Sequence, residues 1–167
     1  VERNIINNLP ASFPDDDSDD NSFTSEIDYT NHVITVVFPY NYPKLSDNVL
    51  QLSDLKKMRV IADLDNNVYV YPTLLFMDMT KDNFITVKEQ TGTSTEYKVV
   101  AEIRKSNECA ITKFNITSLG LSGIINESTK TISLISLESI GEVLADVSIS
   151  HGATISPDPT TVALDYD

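Results

Sequence analysis

Residues 97–105, with the sequence YKVVAEIRK, set apolar and polar side chains in alternation. The side chains at alternate positions are all apolar, namely Tyr97, Val99, Ala101 and Ile103. Because successive side chains of a strand point to opposite faces, this pattern predicts a strand with one buried face and one solvated face. Such a strand is typical of an antiparallel β-sandwich.

Composition and charge support an all-β class and exclude several functions. Val, Ile and Thr number 46 of 167 residues against 7 Ala, an excess that favours strands over helices. The net charge of −13 repels phosphate backbones and anionic membranes, so we expect no nucleic-acid partner. The apolar runs are far shorter than the ~18 to 20 residues of a membrane helix. The single Cys excludes an internal disulfide framework.

The strand and turn signals divide the chain into segments. Residues 1–24 hold a short strand around Ile5, Ile6 and Leu9, followed by an acidic run, 15–20, that we expect to be a solvated loop. A hairpin follows in 27–38, then a short helical turn within 50–58. Further strands are predicted at 59–64, 68–71, 84–89 and 97–105. We therefore predict a first module over 25–105, a linker over 106–110 and a second module over 111–167.

An internal repeat suggests that the two modules share one architecture. At a shift of 98 positions, Ile27 aligns with Ile125 and Ile34 with Ile132. At a smaller shift, 60–72 parallels 147–157, and each segment ends in Pro. The sequence predicts two tandem β-sandwich modules. If the repeat holds, Ile34 and Val36 point into the first core, and Ile132 and Leu134 into the second.

The second module lacks a counterpart to 97–105, so its last strand is predicted to be missing. The final residues, 160–167, match the strand 84–89, with Val162 and Leu164 facing inward. Two explanations remain open: a chain shorter than the gene product, or a strand supplied by a partner or a neighbouring copy.

The second module also carries a recognisable pattern. It runs ITKFNI (111–116), GII (123–125), TISL (131–134) and SHGATISP (150–157). This pattern resembles the tandem immunoglobulin-like repeats of surface lipoproteins from Bacteroides and their relatives, a family of uncharacterised function. The resemblance covers 111–157 well and 25–105 more loosely. It implies an exported protein at the cell surface or outer membrane, tethered by a lipid anchor upstream of residue 1. Family members often neighbour glycan-uptake systems, and the family has no catalytic motif to carry over.

Catalytic and metal chemistry find little support in the residues. His32 is predicted in a hairpin turn and His151 in the repeat motif, and a lone histidine in a turn is far more often a surface residue than a catalytic base. Cys109 lies in the predicted linker directly after Glu108, and we expect a small, half-buried linker residue. The acidic runs offer oxygen ligands for Ca²⁺ but lack a binding-loop pattern. The sequence thus predicts no enzyme, no cofactor and no metal site.

Tyrosines are the best candidates for ligand binding. Tyr69 and Tyr71 lie two apart in a strand, so both leave one face while Val68 and Val70 take the other. Tyr40 and Tyr42 lie in a loop bounded by prolines. Rings with polar tips stack on sugars or contact proteins. The alternative, cross-strand packing or burial against the adjoining module, is the more common role of such tyrosines.

Two functions remain open after these observations. The first is a non-catalytic cell-surface binding module with a glycan as the favoured ligand class and a surface protein as another partner. The second is a structural or adhesive spacer, stalk or fimbria-like protein that assembles by strand exchange. The absence of Trp weakens the first, because carbohydrate platforms favour that ring.

Overall fold

The fold of residues 5–167 is described here from a computed structural model. The chain divides into two compact units, with the boundary between Lys105 and Ser106. Within the described residues there is no α-helix, and the only helical segments are two 3-10 turns, Leu52–Leu55 and Thr117–Leu119. The all-β class predicted from the sequence is confirmed. No helix in this part of the chain is long and apolar enough to span a membrane.

The first unit is built from strands β1 to β10. Their bounds are β1 Ile6–Asn8, β2 Ala11–Ser12, β3 Ser25–Asp28, β4 Val33–Pro39, β5 Met58–Val60, β6 Asp63–Leu64, β7 Val68–Tyr71, β8 Phe76–Met77, β9 Asn83–Glu89 and β10 Ser94–Arg104. They form a five-stranded sheet in the order β3-β4-β10-β9-β7, a three-stranded sheet β2-β5-β8 and the pair β1-β6. The predicted strand over 59–64 is therefore two short strands in different sheets.

One strand pair corrects the prediction of a purely antiparallel sandwich. β10 runs parallel to β4, with Val99 beside Ile34, and antiparallel to β9 on its other side. The alternation in 97–105 correctly gave the buried face, because Tyr97 and Val99 are buried. Alternation carries no information on the direction of the neighbouring strand, which depends on the path of the chain between β4 and β10.

The core of the first unit lies between the two larger sheets. Its fully buried side chains come from both, with Ile34, Val36 and Val99 on one side and Met58 and Val60 on the other. The segment 1–24, which the sequence set apart from the module, contributes to this same core through residues 5–24. Its buried side chains are Ile5, Ile6, Leu9, Ala11 and Phe23. They complete the core because β1 and β2 pair with β6 and β5.

The second unit holds strands β11 to β17. These are β11 Ile111–Ile116, β12 Leu121–Ser122, β13 Ile124–Asn126, β14 Thr131–Ser133, β15 Glu142–Val143, β16 Asp146–Ile149 and β17 Leu164–Asp165. They form the sheet β12-β11-β16 and the pairs β13-β14 and β15-β17. Phe114, Ile116 and Ala145 are its buried apolar residues, and Ile132 and Leu134 pack against them while partly exposed. This core is much smaller than that of the first unit.

The two hairpins that the sequence aligned correspond closely. Ile27 pairs with Ile34 in the first, and Ile125 pairs with Ile132 in the second. Each turn is closed by the side chain at the same position. The Oδ1 atom of Asp28 accepts hydrogen bonds from the backbone N–H groups of Thr30 and Asn31, and that of Asn126 accepts them from Ser128 and Thr129.

The residue before the second strand of each hairpin also takes the same conformation. His32 has φ 55° and Lys130 has φ 56°. The aligned residues therefore form the same kind of hairpin in both units, with the same register and the same turn conformation.

The end of the second unit differs from its prediction. Thr160 to Val162 form a turn because Asp158 caps it: its Oδ1 accepts from the N–H and the hydroxyl of Thr160, and its backbone oxygen from the N–H of Val162. Val162 is 49% exposed, so its predicted inward position is wrong, whereas Leu164 is half-buried. β17 is only two residues long and pairs with β15, a strand that the sequence did not indicate.

Candidate functional site

The edge strand β7 presents Tyr69 and Tyr71 to solvent. Their exposed fractions are 63% and 75%, while Val68 is buried and Val70 packs against the first core. The alternation read from the sequence holds here because Val fills the core side of the pleat. Both rings therefore lie on the outer face of the five-stranded sheet.

The neighbouring strand β9 supplies polar groups beside these rings. Tyr69 lies opposite Lys88, and Tyr71 lies opposite Thr86. On the far side of β9, Ser94 of β10 lies opposite Lys88. Directly opposed residues have Cβ atoms about 4.5 to 5.5 Å apart, so hydroxyl and ammonium groups come within reach of a ligand on the rings. A shallow depression of about 680 Å³ covers this area, lined by Tyr69, Val70, Tyr71, Thr86, Lys88, Glu89, Gln90 and Ser94.

A third ring, which the sequence analysis missed, lies on the same face. Phe84 is 56% exposed and has the same parity in β9 as Thr86 and Lys88. It stands diagonally across from Tyr71, a separation of about 7 to 8 Å in an antiparallel pair. The signal was present in the sequence, because Ile85 and Val87 take the core positions and leave Phe84 facing outward. We call Tyr69, Tyr71 and Phe84 the aromatic face.

Lys88 lies directly opposite Tyr69 of this face. It is exposed, and no ion pair joins it to another residue within 5–167. The next lysine on the same face, Lys98, lies opposite Phe84 and 3.7 Å from the carboxylate of Asp82. The ammonium group of Lys88 is therefore the one placed to donate hydrogen bonds to a ligand.

Tyr42 is buried, unlike Tyr69 and Tyr71. It is 7% exposed, and its ring packs against Phe13 and Phe23 with centroids 5.2 and 5.3 Å away. Its hydroxyl donates a hydrogen bond to the carboxylate of Asp16 and lies 3.1 Å from the hydroxyl of Ser18. Burial raises the pKa of the Tyr42 phenol, and the hydrogen bond from Tyr42 lowers the pKa of Asp16. These contacts hold the acidic loop to the core, and they remove Tyr42 from the ligand-facing residues.

Tyr40 is less exposed than Tyr69 and Tyr71 and less buried than Tyr42. It is half-buried, its backbone N–H donates to the carbonyl of Arg104, and the ammonium of Lys105 lies 4.8 Å from its ring centroid. Tyr42 lines a separate depression of about 600 Å³, which shares no lining residue with that beside Tyr69 and Tyr71. The structure thus keeps Tyr69 and Tyr71 together and does not bring Tyr40 or Tyr42 into their site.

The other candidate residues also have defined positions. His32 is exposed in its turn with its ring 5.3 Å from that of Tyr97, and His151 is exposed in the turn after β16. Cys109 is exposed, not half-buried as predicted, because it lies outside the strand β11. In the acidic loop only Asp16 is half-buried. Among residues 5–167, no cluster of three or more His, Cys, Asp or Glu side chains is placed to hold a metal ion.

Comparison with known proteins places both units among domains whose role is undefined. Residues 111–167 match the model of a domain of unknown function, DUF8499. A crystal structure of a "putative secreted protein" from Bacteroides fragilis NCTC 9343 matches with 19% identity and a TM-score of 0.44, over 60% of this chain and 95% of that one. No curated protein matches the chain. The model of the domain of unknown function DUF5018 matches residues 1–101, more than half of the sequence, and the chain belongs to that family.

Proposed function

We propose that this protein is a non-catalytic binding module whose ligand is a glycan, bound on the aromatic face of the first unit. The observation that carries this proposal is the grouping of three exposed rings on one sheet face. Exposed apolar groups scattered singly are ordinary, whereas grouped ones rimmed by polar residues are typical of interaction sites. Here the rim is supplied by Thr86, Lys88 and Ser94.

The chemistry of this face suits a sugar ring. The apolar C–H face of a pyranose can stack on a tyrosine ring, while the phenol hydroxyl stays available for hydrogen bonds. Thr86 and Ser94 offer hydroxyl groups that both donate and accept, and Lys88 offers three donors. A ligand rich in hydroxyl groups can satisfy these groups without displacing any structural hydrogen bond, since the site is open to solvent.

The charge of the chain narrows the ligand class. A net charge of −13 disfavours the approach of a long polyanion, even with Lys88 at the site. We therefore expect neutral polysaccharides to bind more tightly than uronate-rich or sulfated ones. The rings of Tyr69 and Tyr71 lie two residues apart, about 7 Å along the strand, which suits contact with more than one sugar unit.

The cellular setting belongs to the same proposal. We propose export to the cell surface with a lipid anchor, supported by the resemblance of 111–157 to surface lipoproteins. Protease treatment of intact cells tests this setting, because a surface-exposed chain is degraded while a cytoplasmic marker survives. Survival of the chain on intact cells would contradict it.

Affinity gel electrophoresis tests the binding function directly. The chain is run through native gels that contain neutral plant and host polysaccharides, with pectin and a sulfated glycan as the anionic members of the panel. Retardation by at least one neutral polysaccharide supports the proposal. Equal mobility in every gel contradicts it. If light scattering then shows assembly of the chain into large particles, the structural or adhesive function takes its place.

A further inference from the structure

Glu96 of β10 lies on the outer face of the five-stranded sheet, next to the aromatic face. Its side chain is exposed and lies opposite Thr86 of β9, which in turn lies opposite Tyr71 of β7. Directly opposed side chains have Cβ atoms about 4.5 to 5.5 Å apart, so these three residues form one row across three strands. A carboxylate therefore lies at the end of the row that begins with the ring of Tyr71.

The carboxylate of Glu96 has no partner among residues 5–167, because it takes part in no ion pair and accepts no hydrogen bond there. The next outward carboxylate of β10, that of Glu102, lies 2.9 Å from the guanidinium of Arg104. Glu89, at the end of β9, accepts a hydrogen bond from the hydroxyl of Thr91 at 3.2 Å. Unlike these two carboxylates, that of Glu96 has its acceptor positions open to a ligand.

Lys88 and Glu96 flank Thr86 with opposite charges. Lys88 lies on the same side of β9 as Thr86 and opposite Ser94, so its position is diagonal to that of Glu96. Diagonal positions are about 7 to 8 Å apart, and the two charged groups form no ion pair with each other. A hydrogen-bond donor and an acceptor therefore lie on either side of the hydroxyl of Thr86, with the ring of Tyr71 beside it.

This pair of charges distinguishes between kinds of sugar. The ammonium of Lys88 only donates hydrogen bonds, whereas the carboxylate of Glu96 only accepts them. A neutral sugar supplies both counterparts, since its oxygens accept from Lys88 and its hydroxyl groups donate to Glu96. A uronate has a carboxylate in place of a primary alcohol, which provides no proton for Glu96 and carries the same charge. Selection thus combines an attraction for one ligand with a repulsion of the other.

We propose that Glu96 is a specificity-determining residue of the glycan site, which accepts hydrogen bonds from sugar hydroxyl groups and rejects sugars that carry a carboxylate. This inference rests on the proposed function, because it assigns a role within the same site. The glycan crosses the strands from Tyr71 toward Glu96, about 10 Å over two strand spacings, which a chain of sugar units can span.

The strength of the interaction is sufficient for this role. Hydrogen bonds to an ionised acceptor are roughly twice as strong as those between neutral groups. Glu96 acts at the site itself, whereas the net charge of −13 acts at long range on any polyanion. The two contributions can therefore be separated by removing one negative charge at the site and one elsewhere.

Glu96→Gln tests this role, because it keeps the shape of the side chain and removes its charge. The probes are the neutral polysaccharide that most retards the unaltered chain in affinity gels and the same polysaccharide oxidised at its primary hydroxyl groups to the uronate form. Calorimetry gives the dissociation constant of the full chain for each probe. The control variant, Asp63→Asn, removes the same charge from an exposed position in the pair β1-β6, outside the five-stranded sheet. Melting temperatures verify that both variants are folded.

The unaltered chain should prefer the neutral form by about tenfold or more, and Glu96→Gln should reduce this preference to less than about threefold. Asp63→Asn should keep the preference of the unaltered chain. Equal affinity of the unaltered chain for the two forms, or an unchanged preference in Glu96→Gln, overturns this inference and leaves the proposed function intact. An equal loss of preference in both variants would assign the selection to net charge and would also overturn it. If the unaltered chain binds no polysaccharide at all, the proposed function fails and this inference fails with it.

Discussion

Tyr69 on β7 lies directly opposite Lys88 on β9, on the solvent side of the five-stranded sheet. The ring is 63% exposed, and no described residue pairs with the ammonium group. An aromatic ring and a hydrogen-bond donor thus lie side by side. Neither the hydroxyl of Tyr69 nor the ammonium group of Lys88 has a structural role among the described residues. This pair is the centre of the binding site that we propose.

The two aligned hairpins predict unequal responses to the same substitution. Ile34→Ala should lower the free energy of unfolding of the first unit by roughly 2 to 5 kcal/mol, because Ile34 is fully buried. Ile132→Ala should cost the second unit about 1 kcal/mol, because that side chain is partly exposed. Urea unfolding followed by amide NMR signals separates the two units. A larger loss for Ile132→Ala would show that the second core is better closed than the structure indicates.

Gly123 is predicted to be required at its position in the second unit. A Cβ there would lie 2.7 Å from the backbone oxygen of Phe114 and 2.9 Å from a methyl carbon of Ile132. Gly123→Ala should therefore destabilise this unit by about 1 to 3 kcal/mol, measured by urea unfolding. Ser118→Ala in the adjoining 3-10 turn, at an exposed position, is a control for general perturbation of the region. An unchanged urea midpoint for Gly123→Ala would contradict the close approach of β11 and residue 123.

The ion pair between Glu26 and Arg104 on the five-stranded sheet can be tested through the pKa of Glu26. Its carboxylate accepts hydrogen bonds from Arg104 at 2.8 and 3.2 Å, and these hold the pKa of Glu26 below its ordinary value. A depressed pKa contributes stability that is present above the unfolded pKa and is lost as the pH falls through the folded one. We expect Arg104→Met to raise the pKa of Glu26 toward the ordinary value, as measured by carbon NMR titration. Glu138, which is exposed and distant in sequence from both Glu26 and Arg104, serves as an internal reference.

The two units should also differ in amide exchange. Among residues 5–167, the first core has twenty buried apolar residues and the second has three, and the extent of burial sets the free energy of local opening. Amides in 111–167 should exchange faster than those in 25–105 when the chain is alone in solution. Equal protection of the two ranges would mean that the second unit is closed by contacts beyond those described.

The sequence predicted those parts of the fold that depend on local pattern. Runs of β-branched and aromatic residues located β4, β7, β9 and β10, and the internal repeat aligned the hairpin that contains Ile34 with the one that contains Ile132. These features follow from side-chain period and turn chemistry, which neighbouring residues decide.

Non-local packing explains the errors. The parallel direction of β10 beside β4 and the burial of Tyr42 depend on contacts between residues far apart in the chain. The loop sequence around Tyr42 does not reveal that Phe13 and Phe23 cover its ring. In the candidate site, Tyr69 and Tyr71 were found because Val alternates with them, while Phe84 was missed because its strand had been located without its faces being assigned.

The aromatic face can be tested most directly with the double variant Tyr69→Ala/Tyr71→Ala. A neutral polysaccharide that retards the unaltered chain is titrated by calorimetry against the double variant and against Ile61→Ala, which removes an apolar side chain that is 64% exposed outside this face. We predict that the double variant binds roughly tenfold more weakly or worse, with an unchanged melting temperature, and that Ile61→Ala binds like the unaltered chain. Unchanged affinity in the double variant would contradict the site and place glycan binding elsewhere on the molecule.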